Sequence, residues 1–129
     1  MSASAPSTLS HPLPEDVVTV IARRFQVLGE PIRIKVLDQL RGGEASVGEL
    51  ASRLGTSQQN ISKHLGILLG ERIVGRRKDG TSVRYWIADE TVLALCELVC
   101  GGMERDLRAL LEVVSAARER PHSPTSSHP

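Results

Sequence analysis

Between residues 57 and 70 the apolar side chains fall where a helix places them on one side, and the other side carries amides. At about 100° per residue, Ile61, Leu65 and Leu68 share a face that must be buried. Gln59 and Lys63 lie nearly opposite, Gly66 sits beside them, and Asn60 and Ser62 occupy the flanks. Ser57 is a good helix cap, which puts Gln58 in the first turn. Solvated helix faces are usually rich in Glu and Lys, yet 57–70 contains no acid. Just beyond, 73–78 and 82–87 alternate as two strands around Asp79-Gly80, a strong hairpin signal. The amide-bearing helix directly precedes this hairpin.

The rest of the chain reads as helices. Residues 15–28 place Val17, Val20, Ile21, Phe25 and Leu28 on one side, and Gly29 closes that helix. Pro31 opens a second, where its missing N–H costs nothing. Ile32, Val36, Leu37 and Leu40 form its buried face, and Gly42-Gly43 ends it. Ser46 caps a short third helix, with Glu49 placed for a capping box. Leu50 and Leu54 point inward, and Gly55 makes the turn into the amide-bearing helix. Asp89 opens a long last helix to about residue 117. Aromatic residues are 2% of the chain, so the core must be aliphatic, which suits packed helices better than a sandwich. Residues 1–14 and 118–129 are rich in Ser and Pro and are expected to be disordered tails around one domain, 15–117. The fold class is mainly α with a small β-hairpin: a winged helix-turn-helix.

Charge supports a nucleic-acid partner by its distribution and not by its total. The formal net charge is +1, but 53–84 holds seven Lys/Arg against two acids. A basic middle between acidic arms is a localised electrostatic footprint. Amide side chains pair with adenine edges, and lysine reaches guanine or phosphate. The helix N-terminus at Ser57 suits a phosphate, and Gln58 lies where recognition helices meet base edges. His64 falls between the core and the polar face, as a packing or phosphate-contact residue. Arg76, Arg77 and Lys78 climb one strand, and Thr81 and Arg84 descend the other, a ribbon suited to the backbone. Such charges also guard a sheet edge against aggregation. The candidate contacts to double-stranded promoter DNA are thus Ser57, Gln58, Gln59, Asn60, Ser62, Lys63, His64, Arg76, Arg77, Lys78, Thr81 and Arg84.

Other classes fit poorly. No nucleophile–base–orienter set and no phosphate loop is present, so an enzyme is not expected. No stretch is long and apolar enough to span a membrane, and the start is unlike a signal peptide. The expected compartment is the cytoplasm.

Residues 25–87 resemble the bacterial ArsR/SmtB repressors, small winged-helix proteins. The matching stretches are Leu28-Gly29-Glu30-Pro31-Ile32-Arg33, Glu49-Leu50-Ala51, Ser57-Gln58 with Ser62-Lys63-His64-Leu65, and the hairpin 75–85. With its flanking helices the resemblance covers about 100 residues. It implies a homodimer built from the first and last helices, an imperfect palindrome as operator, and release when an inducer binds. Three departures stand out. Many relatives carry a Cys-Val-Cys box for soft metals where this chain has Ser46-Val47-Gly48. Others bind zinc, nickel or cobalt through Asp and His on the last helix, but 85–120 contains no His. Gly66 replaces a lysine common after the His-Leu pair.

Cys96 and Cys100 remain as sensor candidates. On the last helix Val92, Cys96, Val99, Met103, Leu107, Leu110 and Val114 form a seam. The expected dimer interface is Val17, Ile21, Val92, Cys96, Val99, Met103, Leu107 and Leu110. Helical positions four apart have Cβ atoms roughly 5–6 Å apart, and a disulfide needs about 3.5–4.5 Å. A bond within the helix would therefore require unwinding. Chelation of a soft metal or metalloid ion is easier, with a dimer pooling four thiols. Oxidation to an intersubunit disulfide or polysulfide bridge is a third route. The plain alternative is that both cysteines pack as small hydrophobes.

Overall fold

The computed structural model describes residues 8–119. In chain order, α1 spans Glu15–Leu28, α2 Pro31–Leu40, β1 Ala45–Ser46, α3 Val47–Leu54, α4 Gln58–Gly70, β2 Val74–Asp79, β3 Ser82–Ile87 and α5 Glu90–Glu119. The chain divides into two units, one ending at Leu93 and one beginning at Ala94. Of the expected tails, 1–7 and 120–129 lie outside the described residues. Residues 8–14 hold neither helix nor strand, while Arg118 and Glu119 belong to α5 and not to a tail. No helix among the described residues is long and apolar enough to cross a membrane.

The core of the first unit is aliphatic. Val36, Leu50, Ile61, Leu65, Leu68 and Ile73 are fully enclosed, and Tyr85 is the one buried aromatic. Each such Leu or Ile contributes about 1.5–3 kcal/mol relative to exposure. These side chains come from α2, α3, α4 and the start of the hairpin, so the core holds the helix-turn-helix together directly.

Local chemistry sets the helix ends. Ser46 Oγ accepts from the Glu49 amide at 3.1 Å, and Glu49 Oε1 accepts from the Ser46 amide at 2.9 Å, completing the capping box. Gly55, at φ 65°, reverses the chain after α3. The Thr56 amide then reaches the Ala51 carbonyl and the Gly55 amide reaches that of Ser52. Ser57 Oγ accepts from the Asn60 amide at 3.1 Å and caps α4. The same closure recurs at the far end of α4, but with Arg72 at φ 60° where glycine is usual. The Ile73 amide donates to Leu68 and the Arg72 amide to Leu69. This tight closure starts β2 directly after α4. Sequence alternation put the first strand at 73, whereas Ile73 finishes the turn and its carbonyl accepts from Ala88 and Asp89.

The sheet has three antiparallel strands in the order β1-β3-β2. β1 was not foreseen, because two residues are too short to show alternation. The hairpin loop is Gly80-Thr81, flanked by the pair Asp79↔Ser82. Gly80 alone of the two has positive φ, 66°. Asp79 therefore ends the strand and does not enter the loop. Gly75 pairs with Trp86, whose ring lies 2.7 Å from where a Cβ at 75 would stand. Only glycine leaves room for that ring.

On α1, Leu28 is buried and Val17 half-buried, while Val20, Ile21 and Phe25 are exposed. In the second unit, Leu98, Val99, Met103, Leu107 and Leu110 of α5 are all more than half exposed. Val92 does not belong to that exposed seam. It is 3% exposed within the first unit, so its own chain already covers it.

Candidate nucleic-acid interface

The buried residues Ile61, Leu65 and Leu68 turn one side of α4 to the core, and the opposite side is open. Gln58, Gln59, Ser62, Lys63 and Gly66 are exposed, as is the cap Ser57. Two of the sequence candidates on this helix are placed differently. Asn60 is half-buried, and its Nδ2 donates to Thr56 Oγ1 at 3.1 Å, so its amide nitrogen is engaged within the chain. His64 is buried, at 7% exposure, which favours packing over a phosphate contact. Its Nδ1 has no hydrogen-bond partner. Burial lowers its pKa first, and the positive charges of Arg33 and Lys63 lower it further, with Glu30 opposing. His64 is therefore a neutral core residue at pH 7.

Strand alternation separates the wing cations. Arg76 and Lys78 share one face of β2, and Arg77 shares the other with its cross-strand partner Arg84. Arg76 and Lys78 are exposed and form no ion pair among the described residues. Thr81 is exposed at the loop. Arg77 and Arg84 are engaged. Arg77 Nη2 donates to Glu44 Oε1 at 2.6 Å. Arg84 Nη1 donates to Glu49 Oε1 at 2.9 Å, and its Nη2 donates to the Glu44 carbonyl at 3.1 Å. Sequence reasoning missed both acids. Glu44 lies in an unpatterned link, and Glu49 was already assigned to capping.

The exposed face of α4 and the free cations of β2 therefore follow one another in the chain with only a tight turn between. Residues 28–74 match the family model of a helix-turn-helix domain. The transcriptional regulator KmtR of Mycobacterium tuberculosis is 38% identical over 84 residues, 65% of this chain and 65% of KmtR. The chain thus spans just under two thirds of KmtR's length. Rv0081 of the same organism, an HTH-type transcriptional regulator, is 34% identical over 106 residues, 79% of this chain and 93% of Rv0081. The crystal structure of Rv0081 matches with TM-score 0.69 over 76% of this chain and 99% of that one, at 31% identity. A solution structure from Mycobacterium bovis matches with TM-score 0.68 at 27% identity, covering 78% of this chain and 95% of that one. It is described as the homodimeric winged helix-turn-helix DNA-binding domain of Mb0332, a possible ArsR-family regulator.

This chain belongs to the ArsR/SmtB family of winged helix-turn-helix transcriptional regulators.

The members of that family are DNA-binding regulators and not enzymes. In this ArsR/SmtB protein the start of α3 is built for capping instead of thiolate chemistry. Ser46 Oγ is used at the helix end, and the open side of Gly48 faces Gln58, whose Nε2 lies 3.6 Å from an ideal Cβ there. On α5, Cys96 is half-buried and Cys100 exposed. Burial pushes the Cys96 thiol up, and the Glu97 carboxylate adds to it, a direction that disfavours the reactive thiolate. No group of three or more His, Cys, Asp or Glu able to hold a metal occurs among the described residues.

Proposed function

We propose that the protein is a homodimeric repressor, acting in the cytoplasm, that reads an imperfect palindrome in promoter DNA. In this reading α4 enters the major groove and the wing follows the backbone. The observation that carries it is the division of α4. Ile61, Leu65 and Leu68 are fully enclosed, while Gln58, Gln59, Ser62 and Lys63 are offered outward without an acid among them. Arg76 and Lys78, exposed and unpaired among the described residues, supply phosphate contacts next to that face. Ser57 and the helix N-terminus add another. The exposed apolar positions of α1 and of α5, each considered alone, support a second copy as the covering partner.

The test is selection of duplexes from a random-sequence pool by the full chain, followed by affinity measurements across a salt series. Gln59→Ala and Lys63→Ala should each weaken binding to the selected duplex about tenfold, as loss of a base or phosphate contact of about 1–3 kcal/mol does. Their thermal midpoints should stay at the wild-type value. Unchanged affinity in both variants would show that this face does not meet DNA.

A second element concerns release. Cys96 and Cys100 stand one turn apart on α5, and Cys100 is exposed. This supports thiol control by a soft metal, metalloid, oxidant or sulfur species, with a dimer contributing four thiols. The raised Cys96 thiol favours the other reading, in which the cysteines pack and another ligand or protein exerts control. Titrating the reduced protein–DNA complex with Zn(II), Cu(I), arsenite, peroxide and polysulfide separates them. Release of wild type but not of Cys96→Ser/Cys100→Ser assigns the sensor. Identical behaviour of the two proteins removes it.

A further inference from the structure

Arg77 and Arg84 face each other across the two wing strands, an arrangement that repels when nothing lies between. Here Glu44 lies between. Its Oε1 is 2.6 Å from Arg77 Nη2 and 3.9 Å from Arg84 Nε. Arg84 also donates from Nη1 to Glu49 Oε1 of α3 at 2.9 Å and from Nη2 to the carbonyl of Glu44, in the link before β1, at 3.1 Å. The Glu49 oxygen that receives Arg84 also receives the Ser46 amide at 2.9 Å. One carboxylate oxygen thus closes the cap of α3 and grips the wing. The Ser46 amide first, and then Arg84 and Arg53, hold the Glu49 carboxyl below its usual range, so the link stays ionised at neutral pH.

Two features make this more than a surface ion pair. First, the flat fork of arginine fits a carboxylate and a carbonyl together, which a lysine cannot do. Second, the strand pairing at this point is only two residues long, Ala45↔Tyr85 and Ser46↔Arg84. A phosphate approaching Arg84 would meet the Glu49 carboxylate and the Glu44 carbonyl, which already take two of its donors, and the Glu44 carboxylate 3.9 Å from its Nε. We propose that Arg84 is a positioning residue for DNA binding: with Glu44 and Glu49 it braces the wing against α3 and fixes how Arg76 and Lys78 are presented, without touching a phosphate itself. This rests on the DNA-binding reading above and deepens it.

The discriminating variant is Arg84→Lys, which keeps the charge and removes the fork. Its companions are Glu49→Ala, Glu49→Gln and Arg76→Gln, all in the full chain. Amide hydrogen exchange of 74–87 is measured without DNA, and affinity for a duplex selected from a random pool is measured across a salt series. Arg84→Lys and Glu49→Ala should speed wing exchange about tenfold and weaken binding with an unchanged salt slope. Glu49→Gln, which retains its accepting oxygen, should restore most of the protection. Arg76→Gln should leave exchange alone and reduce the salt slope by about one. If Arg84→Lys binds as wild type with wild-type exchange, Arg84 acts as a simple positive charge and the proposal is overturned. If no duplex is selected, the DNA reading fails, and the exchange comparison by itself still decides whether the brace exists.

Discussion

His64 shows how one buried side chain ties stability to pH. Unfolded, it takes a proton near its ordinary pKa of about 6.5. Folded, its pKa is lowered by burial and by Arg33 and Lys63, so it resists protonation until lower pH. The unfolded chain therefore binds more protons as pH falls below about 6.5, and the stability present above that value is lost progressively in acid. Urea midpoints measured from pH 7.5 to 5 should decline in wild type and decline less in His64→Leu. Arg72 makes a second prediction at this scale. Its φ of 60° costs a non-glycine residue about 1–2 kcal/mol. Arg72→Gly should raise the unfolding free energy by about 1 kcal/mol, after the entropy glycine adds to the unfolded chain, and urea titration would read it. Neither residue announced itself in the sequence. His64 sat on a face boundary where periodicity does not decide. Arg72 takes its conformation because Leu68 and Ile73 are both pulled into the core, a cause that is not local.

At the scale of elements, helices were legible because their signals are redundant. α3 carries both halves of a capping box, and α4 carries a cap and a complete apolar stripe. Strand pairing was only half legible. β2 and β3 alternate, whereas β1 is recognisable only from its partner Tyr85-Arg84. The hairpin itself depends on the pairing of Gly75 with Trp86. In Gly75→Ala the new methyl would meet the indole at 2.7 Å, so the ring must leave its place. A loss of about 1–3 kcal/mol follows from such overpacking. Trp86 is the only tryptophan, so a red shift of emission would report the displacement directly. The candidate interface was legible as a composition and not as a geometry. Amides and cations could be counted, but Arg77, Arg84 and Asn60 are held by Glu44, Glu49 and Thr56, and such pairings arise only in three dimensions.

Over the whole molecule, the unusual feature is how much apolar surface the chain leaves uncovered on α5. Contiguous exposed apolar stretches of this kind mark association surfaces. Met103→Glu combined with Leu107→Glu should shift the protein to monomer at micromolar concentration in sedimentation equilibrium. Binding to a palindromic duplex should fall by more than tenfold, since one half-site alone remains to each subunit. A dimer with unchanged mass would place the contact elsewhere. The seam drawn from spacing included Val92, because spacing marks a stripe along a helix and not where the chain's own core ends.

The two sides of α4 have separate obligations. Ile61, Leu65 and Leu68 answer to the interior, and Gln58, Gln59, Ser62 and Lys63 are exposed on the other side. On the proposed DNA-binding reading, exchanging the second set would alter the address that is read without altering the reader. The scaffold could then be duplicated and its copies sent to new promoters by a handful of surface changes, each nearly neutral for folding.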